Sequence, residues 1–194
     1  LFRSGAAENI AAAESLIAAT EAEGRARIVH LSSIVVYDGW PFGHLTEDSP
    51  RSAGTGSAYR RAKVAIEDRL LAGTRPALIL RPTLVWGPGS SLWTNAFADA
   101  LLAGAVVLPD PEGLCQGAFV DDVVQACLRA AVLPDPGRER FIINGPEPFC
   151  WTALVGGYRD ILGRGEIRFE PAERLRPAAP PPAPVGQAGP SVAA

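Results

Sequence analysis

Uninterrupted apolar runs alternate with helix-length segments along the first half of the chain. Residues 8–23 carry apolar side chains at helical spacing and end at Gly24, a typical residue after a helix C-terminus. A short apolar strand follows at residues 27–31, and a second helical pattern covers residues 57–72. Residues 76–81 then form another apolar run. Because strands that are apolar throughout belong to buried parallel sheets, this order predicts an α/β fold.

The second half of the chain continues in shorter elements. We predict helices over residues 92–104 and 151–162 and short strands over residues 106–108 and 141–143. A further helical pattern lies within residues 118–132, and either Asp121 or Asp122 is its expected N-cap.

Two segments show no helical or strand period. Residues 38–58 are rich in Gly, Pro and Ser, and loops of this length in compact domains are often functional. We expect this loop to frame a pocket, with Trp40 and His44 as solvated side chains. Residues 177–194 are mostly Pro, Ala and Gly. This tail has too little apolar bulk to offset the entropy of ordering, so we predict that it is disordered.

Composition limits the class of protein. The chain has 194 residues, of which 47% are apolar and 20% charged, as in ordinary globular domains. A net charge of −3 gives no basic field for nucleic acid or an anionic membrane, and no apolar run reaches the length of a membrane span. The three cysteines (Cys115, Cys127 and Cys150) fit no zinc spacing, so no metal site is expected. We interpret them as reduced thiols in a cytoplasmic protein.

Tyr59 and Lys63 are the candidate catalytic pair, since side chains four residues apart on a helix share one face. A free phenol has a pKa of about 10, and a nearby ammonium lowers that pKa by stabilising the phenolate. Reaching a pKa near 7 requires about 4 kcal/mol, which the lysine and a bound cationic cofactor would supply together. The pair predicts a proton-transfer site. Glu67 continues the stripe, and we expect it to pair with Lys63 or Arg60 on the helix surface.

Ser32 and Ser33 lie at the carboxyl end of the 27–31 strand. In open α/β sheets this is the edge where ligands bind. We expect the hydroxyl of Ser33 to hold a substrate oxygen beside the phenol of Tyr59. Turn formation is the alternative role for both serines.

A series of short motifs continues along the chain in a recognisable order. They are Ile28-Val29-His30-Leu31-Ser32-Ser33 with Val36-Tyr37, the set Tyr59, Lys63 and Glu67, Leu80-Arg81-Pro82-Thr83-Leu84-Val85-Trp86-Gly87-Pro88-Gly89, Phe119-Val120-Asp121-Asp122-Val123, and Phe141-Ile142-Ile143-Asn144-Gly145. Together they resemble the extended short-chain dehydrogenase/reductase superfamily, specifically the NAD-dependent epimerase/dehydratase family, over about residues 8–165.

The resemblance implies a partial Rossmann-type parallel sheet with a small C-terminal substrate lobe. We assign residues 1–90 to the second half of the NAD(P)-binding domain, residues 91–170 to the small lobe with a returning strand and helix, and residues 171–194 to the tail. Family members begin with a glycine-rich phosphate loop, and nothing in this chain matches it. The chain opens on Leu1 and contains no methionine, so we expect it to be incomplete at the N-terminus.

The resemblance also implies roles for individual residues. It makes Ser33, Tyr59 and Lys63 catalytic, and it makes Asn9, Ser32, Tyr59, Lys63, Pro82 and Thr83 cofactor-binding. For Asn9 a simple polar role near a helix start is the alternative. Many family members that act on nucleotide sugars carry asparagine where this chain has Leu84. An apolar Leu84 cannot make that hydrogen bond, which favours a reductase acting on a less polar carbonyl.

The implied function is that of an NAD- or NADP-dependent epimerase, dehydratase or reductase, acting on a sugar nucleotide or another hydroxyl or carbonyl substrate. The alternative is a catalytically inactive fragment or scaffold that lacks the phosphate loop. The expected partner is a small-molecule substrate, with a homodimer as a possible assembly and with neither nucleic acid nor membrane as a ligand.

Overall fold

The structure is a computed structural model that describes residues 5–40, 44–52, 54 and 56–175. Its helices are α1 (Ala6–Glu23), α2 (Ala58–Ala72), α3 (Ala96–Ala103), α4 (Val120–Val132), α5 (Trp151–Leu162) and α6 (Ala172–Leu175). Its strands are β1 (Ile28–Leu31), β2 (Ala77–Pro82), β3 (Leu84–Trp86), β4 (Ala105–Asp110), β5 (Leu114–Cys115), β6 (Gly117–Phe119), β7 (Arg138–Ile143), β8 (Phe149–Cys150) and β9 (Glu166–Pro171). A 3₁₀ turn (Ile34–Val36) follows β1, and a π-helical turn (Ser91–Asn95) precedes α3.

The main sheet has three parallel strands in the order β1-β2-β7. Ile28 pairs with Ala77, and Leu80 pairs with both Leu31 and Phe141. All six residues of β2 are buried, because this strand has a neighbour on each side and helices over both faces. This confirms the α/β fold that the apolar runs predicted.

The two faces of the sheet bury different sets of side chains, since alternate residues of a strand point in opposite directions. On one face Ile28 and Ile79 pack with Ile66 and Leu70 of α2, and α1 adds partly buried apolar side chains. On the other face Leu80, with Leu78, packs against Ala130 of α4. The alternating directions explain why these strands are apolar throughout rather than at every second position.

The small lobe is built from β4, β9, α3 and α5. Strands β4 and β9 are parallel, and Leu101, Val106, Leu108 and Val155 form a buried cluster between the elements. Sequence periodicity did not predict β9, because most of its side chains are exposed and half of them are charged. Residues 171–175, assigned to the tail from composition, complete β9 and form α6. The remainder of the predicted tail, residues 176–194, lies outside the described residues.

The N-terminus of α4 differs from the expected cap. Phe119 is the N-cap residue and makes no side-chain capping bond, whereas Asp121 and Asp122 lie inside the first turn. The prediction was wrong because β6 runs directly into α4, which leaves no turn residue between strand and helix. The two carboxylates still stabilise the helix through its dipole.

Two further observations bear on the class of protein. Across the described ranges, no helix combines the length and the apolar character that a membrane span requires. All three cysteines are free thiols, and burial raises the pKa of Cys115 to about 11. Cys115 is therefore a neutral packing residue at physiological pH.

Candidate active site

The topology brings the N-terminal ends of two helices to the carboxyl edge of the main sheet. α1 leads into β1 and α2 leads into β2, so each helix runs opposite to the strand that follows it. Asn9 lies near the start of α1 and Tyr59 near the start of α2, while Ser33 follows the end of β1. All three residues therefore lie at one edge, although Asn9 is exposed on the outer turn of its helix.

Ser33 and Tyr59 are joined by a side-chain hydrogen bond. Ser33 is the N-cap of the 3₁₀ turn, where its Oγ accepts from the backbone amide of Val35 at 3.4 Å. Ser57 caps α2 in the same way, with its Oγ accepting from the amide of Arg60 at 3.2 Å. Each member of the pair thus sits at a helix start that a serine hydroxyl defines.

Lys63 lies one turn after Tyr59 on α2, and its amine is close to the Tyr59 ring. Its Nζ lies 5.7 Å from the centroid of the Tyr59 ring. The same Nζ donates to the main-chain carbonyl of Leu31, the last residue of β1, at 2.5 Å. An ammonium has three donors, so this bond fixes the position of the amine while leaving it able to donate further.

The pKa of Tyr59 is shifted in the direction opposite to the lowering expected from Lys63. Burial raises the pKa of the Tyr59 phenol, and the hydrogen bond from Ser33 acts in the opposite direction. Burial likewise lowers the pKa of Lys63, against the raising effect of Glu67. The protein groups by themselves therefore keep the phenol protonated at neutral pH.

Ser32 carries a buried hydroxyl group without a hydrogen-bond partner among the described residues. The residue is 4% exposed. Its amide donates to the carbonyl of Leu80 at 2.7 Å, so the backbone is fixed while the hydroxyl is available. Because buried hydroxyls are normally paired, an orphaned one at this edge fits a bound ligand group.

The other predicted cofactor residues lie one strand further along the same edge. Pro82 is the last residue of β2 and is buried. Thr83 donates from its amide to the carbonyl of Ile143 at 2.9 Å, and its hydroxyl donates to the same oxygen at 3.3 Å. Thr83 therefore ties the ends of β2 and β7 together.

Glu67 is not on the helix surface, so the prediction that it pairs with Lys63 or Arg60 there was wrong. Its side chain is fully buried and forms a two-point ion pair with Arg81, with Nε to Oε1 at 3.0 Å and Nη2 to Oε2 at 2.6 Å. Arg81 also donates to the hydroxyl of Tyr37 at 2.6 Å and lies over its ring. Tyr37 and Arg81 stand in the motifs quoted above, but their contact joins distant parts of the sequence.

His30 is a buried side chain within electrostatic range of both Lys63 and Glu67. Burial lowers the pKa of His30 to about 4, with Lys63 acting in the same direction and Glu67 opposing. Its Nε2 is buried without a hydrogen-bond partner among the described residues. His30 is therefore a neutral side chain at physiological pH, in agreement with a packing role.

Two clefts lie beside the small lobe and share Trp86 and Phe149. The first has a volume of about 280 Å³ and an almost wholly apolar lining that includes Leu154 and Tyr158. The second has a volume of about 380 Å³, and its lining includes Gly145, which follows β7 by two residues. No group of three or more His, Cys, Asp or Glu residues in the described part of the chain could hold a metal ion.

The parallel sheet, with Ser33, Tyr59 and Lys63 at its carboxyl edge, defines a Rossmann-type α/β domain. The model of the NAD dependent epimerase/dehydratase family matches residues 4–144. The chain belongs to that family.

Individual relatives agree on the fold and differ in activity. The chain is similar to a 2-alkyl-3-oxoalkanoate reductase from Stenotrophomonas maltophilia (strain K279a), with 29% identity over 86% of this chain and 55% of the relative. It is also similar to the solved structure of MoeE5 in complex with UDP-glucose and NAD, with 25% identity, a TM-score of 0.68, and coverage of 84% of this chain and 57% of that one. The dTDP-glucose 4,6-dehydratase of Bacillus anthracis str. Ames, solved with NAD, has a TM-score of 0.70 at 19% identity, covering 84% of this chain and 55% of that one. The chain thus spans a little over half the length of these relatives.

Proposed function

We propose that this chain carries the catalytic half of an NAD(P)-dependent oxidoreductase in which Tyr59 transfers the proton. The observation that supports this most strongly is the meeting of three side chains from separate elements. Ser33 hydrogen-bonds Tyr59, and the Nζ of Lys63 lies 5.7 Å from the same ring. Geometry of this kind comes before pKa in identifying an acid–base group.

Each residue has a distinct task in the proposed reaction. Tyr59 gives a proton to the substrate oxygen in the reducing direction and takes it back in the oxidising direction. Ser33 donates to that oxygen and holds it beside the phenol. Lys63 stays anchored to the carbonyl of Leu31 and binds the cofactor ribose with a remaining donor. The cofactor supplies the hydride chemistry when it is bound.

The residues at the sheet edge fit a nicotinamide cofactor. The orphaned hydroxyl of Ser32 and the backbone after Pro82 are the groups that would hold the nicotinamide end, and Asn9 is a further candidate contact. A cationic nicotinamide also supplies the positive charge that Tyr59 needs, because burial alone raises the pKa of the phenol. Solved relatives carry NAD. NADP stays the alternative, because the residues that discriminate the two cofactors follow the second strand of the complete fold.

The substrate is proposed to be a carbonyl compound that is less polar than a nucleotide sugar. Leu84 on β3 offers no hydrogen bond, and the cleft bounded by Trp86, Phe149 and Leu154 is apolar. A relative named for reducing 2-alkyl-3-oxoalkanoates agrees with this choice, while structural relatives bind UDP-glucose and related sugars. A direct comparison of a 3-oxo acid with a nucleotide sugar as substrate distinguishes the two classes.

The alternative function is an inactive scaffold. β1 has a single neighbouring strand in the described sheet, and Leu31 is 43% exposed, so this edge is open for pairing with another chain. Calorimetric titration of the chain with NADH and NADPH separates the two proposals. Saturable micromolar binding supports the oxidoreductase, and no binding at millimolar cofactor supports the scaffold.

Substituting Tyr59 tests the catalytic assignment. In a cofactor-binding form of the protein, Tyr59→Phe is expected to abolish turnover and to leave cofactor affinity nearly unchanged, since the phenol contacts the reacting oxygen. Tyr37→Phe is the matched control, because the hydroxyl of Tyr37 accepts from Arg81 at 2.6 Å and lines neither of the two clefts. Near-normal turnover by Tyr59→Phe would remove the tyrosine from the mechanism.

A further inference from the structure

Arg60 is a buried guanidinium immediately beside the proposed proton-transfer residue. The residue is only 8% exposed, although the adjacent Tyr59 and Arg61 are exposed. Successive residues on a helix point about 100° apart, so Arg60 leaves α2 in a different direction from the Tyr59 phenol. Burying a charged side chain requires that its donors be satisfied, which makes its partners informative.

Two partners of Arg60 are main-chain carbonyls of the turn that presents Ser33. Nε donates to the carbonyl of Val35 at 2.9 Å, and Nη2 donates to that of Val36 at 2.9 Å. Both carbonyls belong to the 3₁₀ turn whose N-cap is Ser33. A change in the position of this guanidinium therefore moves the turn, and with it the serine hydroxyl.

The same guanidinium also holds the far end of the loop between Ser33 and Tyr59. Nη1 donates to the carbonyl of Ser52 at 3.0 Å, and Nη2 forms an ion pair with Asp38. The carboxylate of Asp38 in turn accepts from the amide and the hydroxyl of Ser52, at 2.9 and 2.8 Å. One side chain thus joins both sides of the loop to the first turn of α2.

Gly56 makes room for this arrangement. A Cβ on Gly56 would lie 2.6 Å from Cδ of Arg60, and its φ of +82° is a conformation that residues with side chains rarely adopt. The chain therefore passes directly over the stem of the arginine, which restricts the path of the side chain towards the turn.

We propose that Arg60 is a positioning residue that fixes the Ser33 turn against the Tyr59 helix and so sets the Ser33–Tyr59 hydrogen bond. The proposal rests on the proposed function, in which that hydrogen bond orients the substrate oxygen. Arg60 acts through the backbone of the turn, whereas Lys63 is the charged group that faces the Tyr59 ring. A guanidinium suits this task because its rigid fork reaches several carbonyls at once.

The test measures the coupling between Ser33 and Tyr59 in the chain alone. The chain has three tyrosines (Tyr37, Tyr59 and Tyr158), so ring-carbon NMR titration with Tyr→Phe assignments reports the pKa of Tyr59. Ser33→Ala removes a hydrogen bond that lowers this pKa, so it is expected to raise it. We expect that upward shift to disappear in an Arg60→Met background, because the two side chains no longer meet.

Arg61→Met is the matched control. Arg61 is exposed, and its Nη1 donates to the carbonyl of Gly56 rather than to the Ser33 turn. The Ser33→Ala shift should persist in this background. In a cofactor-binding form of the protein, Arg60→Met should lower kcat about tenfold to a hundredfold with the KM for cofactor unchanged, as for a small displacement of a catalytic group.

The outcomes separate this inference from the proposed function. An undiminished Ser33→Ala shift in the Arg60→Met background would overturn the role of Arg60. No shift in the unaltered chain would instead refute the Ser33–Tyr59 pair itself. Should Arg60→Met fail to fold, Arg60→Lys serves in its place, because it keeps the charge beside Asp38 but cannot reach both turn carbonyls. A full Ser33→Ala shift in Arg60→Lys would equally contradict the proposal.

Discussion

Helix α2 carries two polar groups with opposite surroundings. Near its start, Tyr59 is 37% exposed, and the phenol and the Lys63 amine have capacity for further hydrogen bonds. Two turns later, Glu67 is fully buried and its carboxylate is bound at both oxygens by Arg81. The first group is the one proposed to meet a ligand, whereas the second is complete within the protein. The comparison teaches that the ionisable side chains along one helix can be divided into a proposed reactive half (Tyr59 and Lys63) and a structural half (Glu67).

Removing the buried ion pair between Glu67 and Arg81 is expected to have the largest effect on the free energy of unfolding. Arg81→Met should destabilise the fold by about 3–5 kcal/mol, because the buried Glu67 carboxylate loses its two-point ion pair and keeps only the contact with Arg51 at 3.5 Å. Denaturant unfolding followed by circular dichroism measures the loss. Arg69→Met is the control, since Arg69 pairs with Glu14 on the surface and should cost less than about 1 kcal/mol. A cost for Arg81→Met as small as that of the control would contradict the comparison.

Acidification is expected to have the next largest effect, through His30. Its pKa falls from an ordinary value of 6.5 in the unfolded chain to about 4 in the folded protein. Between these values the unfolded chain binds more protons, so stability decreases as the pH falls from 6.5 towards 4. The loss amounts to roughly 3 kcal/mol. Unfolding measured at several pH values gives the free energy of unfolding as a function of pH. This free energy should fall more steeply with acidification in the unaltered chain than in His30→Val, and equal slopes would exclude His30 as the cause.

The smallest expected effect on stability belongs to the reactive half. Tyr59→Phe should change the free energy of unfolding by less than about 1 kcal/mol, because Tyr59 is 37% exposed and its bond to Ser33 is a single neutral one. The same unfolding assay measures this difference. A loss comparable with that of Arg81→Met would mean that Tyr59 is a structural residue and would remove the contrast between the two halves.

Much of the fold follows from local patterns. The apolar runs at residues 27–31 and 76–81 predicted two strands, which the structure forms as β1 and β2, and helical spacing predicted α1 and α2 within a residue or two. Ser33, Tyr59 and Lys63 were brought together by topology alone, because a strand end and a helix start must meet at one edge of a parallel sheet. The catalytic roles of these residues stay predictions.

The parts that sequence reasoning missed depend on contacts between distant segments. Spacing on the helix assigned Glu67 to Lys63 or Arg60, but its partner Arg81 lies on the next strand. Arg60 carried no local signal, since its partners are backbone carbonyls that any residue provides. The apolar pattern of the sequence did not indicate strand β9, because this strand is held by pairing with β4 rather than by burial of its side chains.

The bond from Lys63 to Leu31 has a practical meaning for anyone mutating this region. The acceptor is a peptide oxygen, so replacing Leu31 by almost any other amino acid leaves the anchor of the amine intact. A saturation scan would therefore record position 31 as tolerant, even though it touches the centre of the site. Substitution scans do not detect contacts made by peptide groups, because every substituted residue keeps its main-chain carbonyl. Such contacts are identified from the structure.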